Sequence, residues 1–131
     1  MDDYSSVFAL WRDAGPGIQV RPSDSRDEVA KKLDHDPDLF WVAQVGDRVV
    51  GVIMGGWDGR RGWLHHLTVD ARYRRQGIAT ALVRTIEERL AAKGCLKINL
   101  LVRGYNVGAR DFYHSLGYDD MIGILPMGKE L

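Results

Sequence analysis

The sequence predicts a mixed α/β fold built on a mainly antiparallel sheet. Two observations lead there. Three apolar, β-branched and aromatic stretches, 39–45, 48–57 and 63–69, are separated only by Gly46-Asp47 and by Asp58-Gly59-Arg60-Arg61-Gly62, which read as hairpin turns. A long amphipathic pattern then separates the third stretch from a fourth, 96–102, and a strand–helix–strand unit closes by a right-handed crossover into a parallel pair. A chain of 131 residues suits one domain over 1–131, able to bury about two-thirds of its unfolded surface without disulfides or metals.

Taken in order, Ser5 or Ser6 is placed to cap a first helix, in which Val7, Leu10, Trp11 and Ala14 keep helical spacing until Gly15-Pro16 stops it. Ser25-x-x-Glu28 has the spacing of a capping box and opens a second helix with Val29, Ala30 and Leu33 as its apolar stripe. His35-Asp36-Pro37 ends it. In the second strand, Gly51, Gly55 and Gly56 indicate a bulge or the close approach of another backbone. The helix over 78–93 places Ile78, Leu82, Ile86 and Leu90 on one face with Ala79 and Val83 beside them, and Gly94 follows the cation Lys93 as its stop. Asn106 caps a short helix with Ala109, Phe112, Tyr113 and Leu116 on one face and Gly117 at its end. The stretch 121–129 reads as a terminal strand, and Pro126 makes it an edge or bulged one.

Eighteen basic residues balance eighteen acidic ones, so no global field favours nucleic acid or a membrane. The one cysteine, Cys95, has no internal disulfide partner and suits a reducing cytoplasm, where a buried thiol is expected of it rather than a nucleophile. The N-terminus has neither a basic region nor a long apolar run, so no signal peptide or membrane span is expected. His35 beside Asp36 does not make a metal site, and no metal is expected.

The basic character is concentrated in Arg72-Tyr73-Arg74-Arg75-Gln76-Gly77-Ile78-Ala79, between the third strand and the long helix. The first amides of a helix have no carbonyl partner within it, and they point outward with the positive end of the dipole. Three arginines and the small residues Gly77 and Ala79 stand at that end, so donors and charge converge where an anion would sit. The anion inferred is a pyrophosphate. The competing reading is a solvated surface loop in which Gly77 only eases a turn.

Arg74-Arg75-Gln76-Gly77-Ile78-Ala79 resembles the Arg/Gln-x-x-Gly-x-Gly/Ala signature of the GNAT superfamily, the acyl-CoA-dependent N-acyltransferases. Leu67-Thr68-Val69-Asp70 is similar to that family's strand ending, and Asn106-x-x-Ala109-x-x-Phe112-Tyr113-x-x-x-Gly117-Tyr118 to its second signature. The resemblance spans about residues 39–118. It implies a GNAT-like twisted, mainly antiparallel sheet with helices on both faces. Chains of that family usually open with a strand. Here the first helix pattern begins within a few residues of Met1, so the opening strand is expected to be missing, shortened or lost to a different translation start, and the edge this exposes invites a homodimer.

The resemblance further implies acetyl-CoA as cosubstrate and transfer of its acetyl group to a primary amine of a small molecule or a protein, by direct attack in a ternary complex. The pyrophosphate would lie on the N–H groups of Arg75, Gln76, Gly77, Ile78, Ala79 and Thr80, with Arg74 beside them and the Thr80 hydroxyl adding a bond. The pantetheine arm would pair as an extra strand with Leu67 and Val69, around Thr68. This requires the 63–69 and 96–102 strands to splay apart. Asn106 is carried over as a ligand contact, and it serves equally as a helix cap. Tyr113 matches the tyrosine that faces the sulfur, with a core aromatic beside Phe112 as the competing role.

Some family members that acetylate protein N-termini carry a glutamate where this chain has Leu101. The base must be sought elsewhere. His65 and His66 alternate along a regular strand, so at most one faces the gap; His66 is the residue chosen, against structural packing or a water relay. Trp41, Trp57 and Trp63 lie near strand ends and either wall an acceptor pocket for an apolar or aromatic amine or fill the core. The alternative to an enzyme is a non-catalytic acyl-CoA-binding regulatory module, which the same phosphate loop would serve.

Overall fold

The computed structural model describes residues 1–15 and 18–131, which form two compact units, 1–100 and 101–131. Pro16, half of the expected helix stop, lies outside the described residues. The first unit runs α1 (Tyr4–Arg12), α2 (Arg26–His35), β1 (Phe40–Val45), β2 (Arg48–Trp57), β3 (Gly62–Val69), α3 (Ile78–Ala92) and β4 (Ile98–Leu100). The strands form one sheet in the order β1-β2-β3-β4, with the first three antiparallel and β3–β4 parallel. The mixed, mainly antiparallel class expected from the two hairpin turns and the crossover is the one observed. Among the described residues no helix is long and apolar enough to cross a membrane.

Helices cover both faces. On one, α3 lies so close that glycines are needed: a β carbon on Gly55 would meet Ile86 Cγ2 at 2.9 Å, and one on Gly62 would meet Leu90 Cδ1 at 2.7 Å. Leu82, Val83, Ile86 and Leu90 are the buried stripe of α3. On the other face α1 and α2 bring Val7, Trp11 and Val29 onto Val52. Trp11 is fully buried, with Phe40, Val42 and Met54 packed around the same cluster.

Several expectations from local sequence are altered. The first helix is not capped by Ser5 or Ser6. It begins at Tyr4, because a turn in which Tyr4 N–H donates to Met1 O at 3.1 Å already starts the helical bonding, and both serines lie inside it. The Ser25 cap forms as expected, its Oγ accepting from Glu28 N–H at 3.4 Å. β2 shows both outcomes its glycines suggested: close approach to α3, and a bulge at Val50 between the pairs Ala43–Gly51 and Gln44–Val49. β4 is three residues rather than seven, and Leu96 is exposed.

In the second unit, α4 (Val107–Ser115) is capped by Asn106, whose Oδ1 accepts from Ala109 N–H at 3.1 Å. Tyr113 packs edge-on against Phe112 and Tyr118, with ring centroids 5.1 and 5.7 Å away. The terminal strand expected over 121–129 does not form. Gly123 turns the chain at φ +83°, Pro126 offers no N–H, and Ile122, Leu125 and Met127 stand exposed.

Candidate functional site

The basic loop is held in an unusual backbone shape. Asp70, at the end of β3, caps a single 3-10 turn, Ala71–Tyr73, accepting Arg72 N–H at 2.9 Å. Two residues then take left-handed conformations, Arg75 at φ 62° and Gly77 at φ 82°. Glycine adopts this freely, whereas an arginine there is strained by about 1–2 kcal/mol. The first helical bond of α3 runs from Ala81 N–H to Gly77 O at 3.0 Å. The amides of Ile78, Ala79 and Thr80 lie ahead of that bond, and Gly77 has no side chain to cap them. Such a run of outward amides beside left-handed residues makes an anion-binding concavity.

The three arginines are not equivalent. The Arg72 guanidinium is committed to Asp70, with Nε 3.2 Å from Oδ1 and Nη2 3.0 Å from Oδ2, and Arg48 adds a third contact to that carboxylate at 3.6 Å. Arg74 Nε donates to the carbonyl of Val69 at 3.3 Å. Arg75 and Gln76 are exposed at the loop's tip. The expectation that all three cations face one anion is therefore corrected: Arg72 is neutralised by the acid two residues before it.

β3 outruns β4 on the way to this loop. The parallel pair covers only Gly62–Leu64 with Ile98–Leu100. Residues 65–69 continue past the end of β4, paired with β2 alone among the described residues. Leu67, Thr68 and Val69 lie on this free stretch. It is also bulged. Met54 pairs with His65 and Val52 with Thr68, so His66 and Leu67 together face Ile53, with His66 at φ 50°. An open groove of about 670 Å³ reaches Thr68, Val69 and Arg74 from α1, where Ser6, Leu10 and Asp13 line it.

The bulge overturns the expected alternation of the two histidines. His65 sits opposite Met54 on the α1/α2 face, its ring parallel to that of Trp63 with centroids 6.3 Å apart. His66 reaches the same face, edge-on to Trp11 at 5.2 Å. Its Nε2 lies 3.1 and 3.2 Å from the two oxygens of Asp24, a carboxylate only 4% exposed. Local desolvation, then the charge of Lys32 and the neighbouring His66 ring, hold His65 below the usual imidazole range. Asp24 went unnoticed in the sequence because 42 residues separate it from His66 and nothing local marks the pairing.

The tryptophans do not wall one pocket. Trp41 pairs with Ile53 on the α3 face, donates Nε1–H to Asp38 O at 2.8 Å and lies under the Arg89 guanidinium at 5.1 Å. Trp57 pairs with Gly62, whose α carbon faces Leu90, and so shares that face. Trp63 is on the other. In the second unit, Asn106 uses Oδ1 as the cap of α4, and burial pushes the Tyr113 phenol up to about 12. Among the described residues no cluster of three potential metal ligands occurs.

The family model for the acetyltransferase (GNAT) family matches residues 4–118. An acetyltransferase of Sodalis glossinidius (strain morsitans) is 45% identical over 131 residues, covering 99% of this chain and 90% of that protein. The structure of an aminoglycoside acetyltransferase from an uncultured soil metagenomic sample, in complex with trehalose, aligns with TM-score 0.79 at 16% identity, covering 99% of this chain and 89% of the other. An N-acetyltransferase of Thermoplasma acidophilum in complex with coenzyme A aligns with TM-score 0.78 at 18% identity, covering 88% and 82%. The two structures share the fold; the match over residues 4–118 and the relative sharing nearly half its residues over the whole chain go further, and the chain belongs to the acetyltransferase (GNAT) family.

Proposed function

We propose that this acetyltransferase moves an acetyl group from acetyl-CoA to a primary amine of a small molecule or protein, by direct attack in a ternary complex. The observation that carries the reading is the head of α3: outward amides from Ile78 to Thr80, preceded by left-handed Arg75 and Gly77, beside a β3 edge that β4 leaves free. A diphosphate fits the first feature and an amide-bearing arm the second. The pyrophosphate takes the amides of Arg75, Gln76, Gly77, Ile78, Ala79 and Thr80, with the Thr80 hydroxyl adding a bond. The pantetheine runs along Leu67, Thr68 and Val69, with Arg74 at the turn and Asn106 as a further contact.

A free alkylamine has a pKa of about 10, so the attacking nitrogen must first be deprotonated. His66 takes a proton as the new C–N bond forms. A backbone N–H of the bulged Leu67 region meets the oxyanion, since the bulge interrupts pairing there. The C–S bond breaks with its electron pair on sulfur, and the Tyr113 phenol supplies a proton. The acetyl-CoA thioester supplies the activated acyl group; no metal enters the scheme. The lone Cys95 suits a reducing cytoplasm, and β1, the outer strand of the sheet, offers an edge for a homodimer that light scattering would test.

The deciding experiment measures CoA thiol release against a panel of small amines and amino-terminal peptides. Turnover with any of them supports transfer. Tight acetyl-CoA binding with no release from any acceptor overturns it in favour of a binding module.

A further inference from the structure

We propose that Asp24 and His66 act as one proton-accepting pair, in which the Asp24 carboxylate fixes His66 in the tautomer protonated on Nε2 and leaves Nδ1 as the base. The inference deepens the acetyl transfer proposed above and rests on that reading.

Asp24 is nearly removed from solvent, and a carboxylate has only acceptors to offer, so it must find donors. Two converge on it. Arg21 N–H donates to Oδ2 at 2.9 Å, and His66 Nε2 lies 3.1 and 3.2 Å from the two oxygens. The short 3-10 turn that carries Asp24, Pro22–Asp24, is itself pinned, because the Tyr4 hydroxyl donates to Asp24 O at 2.8 Å. The carboxylate is thus fixed before the histidine meets it. A ring whose Nε2–H is spent on a carboxylate keeps its lone pair on Nδ1.

The histidine is placed with similar care. Its φ of 50° is costly for a non-glycine residue, and the bulge that imposes it turns the ring towards Asp24 while the next residues run on along the free edge of β3. Trp11 fixes the ring from its edge, yet the His66 side chain keeps 26% of its surface open to a water or an amine. The ring beside it is His65, adjacent on β3, and the Lys32 charge that bears on His65 is already bound through Nζ to Asp36 Oδ2 at 2.6 Å. Asp24 is therefore the counter-charge that meets the imidazolium. In the transfer step the neutral amine attacks the thioester carbonyl, the N–C bond forms, the C–S bond breaks with its electrons on sulfur, and the amine proton passes to Nδ1 directly or through one water. The proton leaves to solvent after release. Asp24 is the positioning residue.

Long-range ¹H–¹⁵N spectra of the imidazoles, with His66 assigned from His66→Gln, test the pair in the wild-type protein without any acceptor. The expected result is the Nε2–H tautomer for neutral His66, displaced in Asp24→Asn. In turnover, Asp24→Asn should lower kcat by about a hundredfold, with the KM for acetyl-CoA within threefold of wild type and the far-ultraviolet circular dichroism unchanged. A wild-type Nδ1–H tautomer overturns the pair, as does an Asp24→Asn enzyme with wild-type kcat. A wild type that turns over no amine defeats the transfer reading instead, and the tautomer spectra still decide the pairing.

Discussion

Arg74 Nε donates to the Val69 carbonyl at 3.3 Å, tying the end of β3 to the loop that heads α3. Its neighbour Arg75 is left-handed and exposed. The two arginines should therefore fail differently. Arg75→Gly relieves backbone strain and removes one cation from the proposed anion site. Stability should hold or rise by about 1 kcal/mol, while acetyl-CoA affinity falls roughly three- to tenfold and becomes less sensitive to salt. Arg74→Ala should lower stability as well as affinity. Calorimetric titration at two ionic strengths, with thermal unfolding of each variant, separates them; identical behaviour would remove the division of labour.

Gly77 has open space where a β carbon would go, so its replacement is costly only through its φ of 82°. Gly77→Ala should cost about 1 kcal/mol of stability. Gly77→Pro forces φ near −65° and should nearly abolish acetyl-CoA binding by reorienting the amides that follow. Thr80→Ala removes one hydroxyl and should weaken binding about fivefold, the size of one hydrogen bond. Unchanged affinity in Gly77→Pro would detach the loop from the phosphate.

The features legible in the sequence are those whose cause is local. Ile78, Leu82, Ile86 and Leu90 recur at helical spacing and are the face α3 presents to the sheet. Gly46 and Gly59 sit in hairpin turns and take positive φ there. The Asn106 cap was equally readable, because capping joins residues three apart. What escaped is long-range. The bulge at His66 and Leu67 depends on the register of β3 against β2, which a period-two pattern in one strand does not carry. The face on which each tryptophan falls was fixed only by which sheet residues meet α3. Charge counting along the loop does not show that Arg72 is spent on Asp70, two residues before it.

Gly62 tests the packing where β3 pairs with β4. A β carbon there would stand 2.7 Å from Leu90 Cδ1 and 3.0 Å from Cys95 Sγ. Gly62→Val should destabilise the protein by about 1–3 kcal/mol through overpacking. Gly56→Ala on the same strand pair meets nothing nearer than 3.4 Å and should be tolerated. Urea midpoints at constant slope make the comparison; equal losses would mean that α3 shifts freely over the sheet.

Tyr113 gives a prediction with a pH sign. Its burial disfavours the phenolate and pushes the group from an ordinary value of 10 up to about 12. The unfolded chain releases this proton first, so the contribution to stability is full below pH 10 and is lost as the pH rises through about 12. Wild-type stability should fall more steeply over that window than that of Tyr113→Phe, which has no proton to lose. The same shift keeps the phenol protonated throughout the neutral range, as a donor to a departing thiolate must be. Tyr113→Phe should therefore slow turnover by about ten- to a hundredfold while acetyl-CoA affinity stays within twofold. Unfolding midpoints at pH 9 and 11.5, set beside kcat and binding at pH 7.5, distinguish the roles. A shallower alkaline loss with wild-type turnover would make Tyr113 a packing residue of α4 and leave the thiolate to be protonated by solvent.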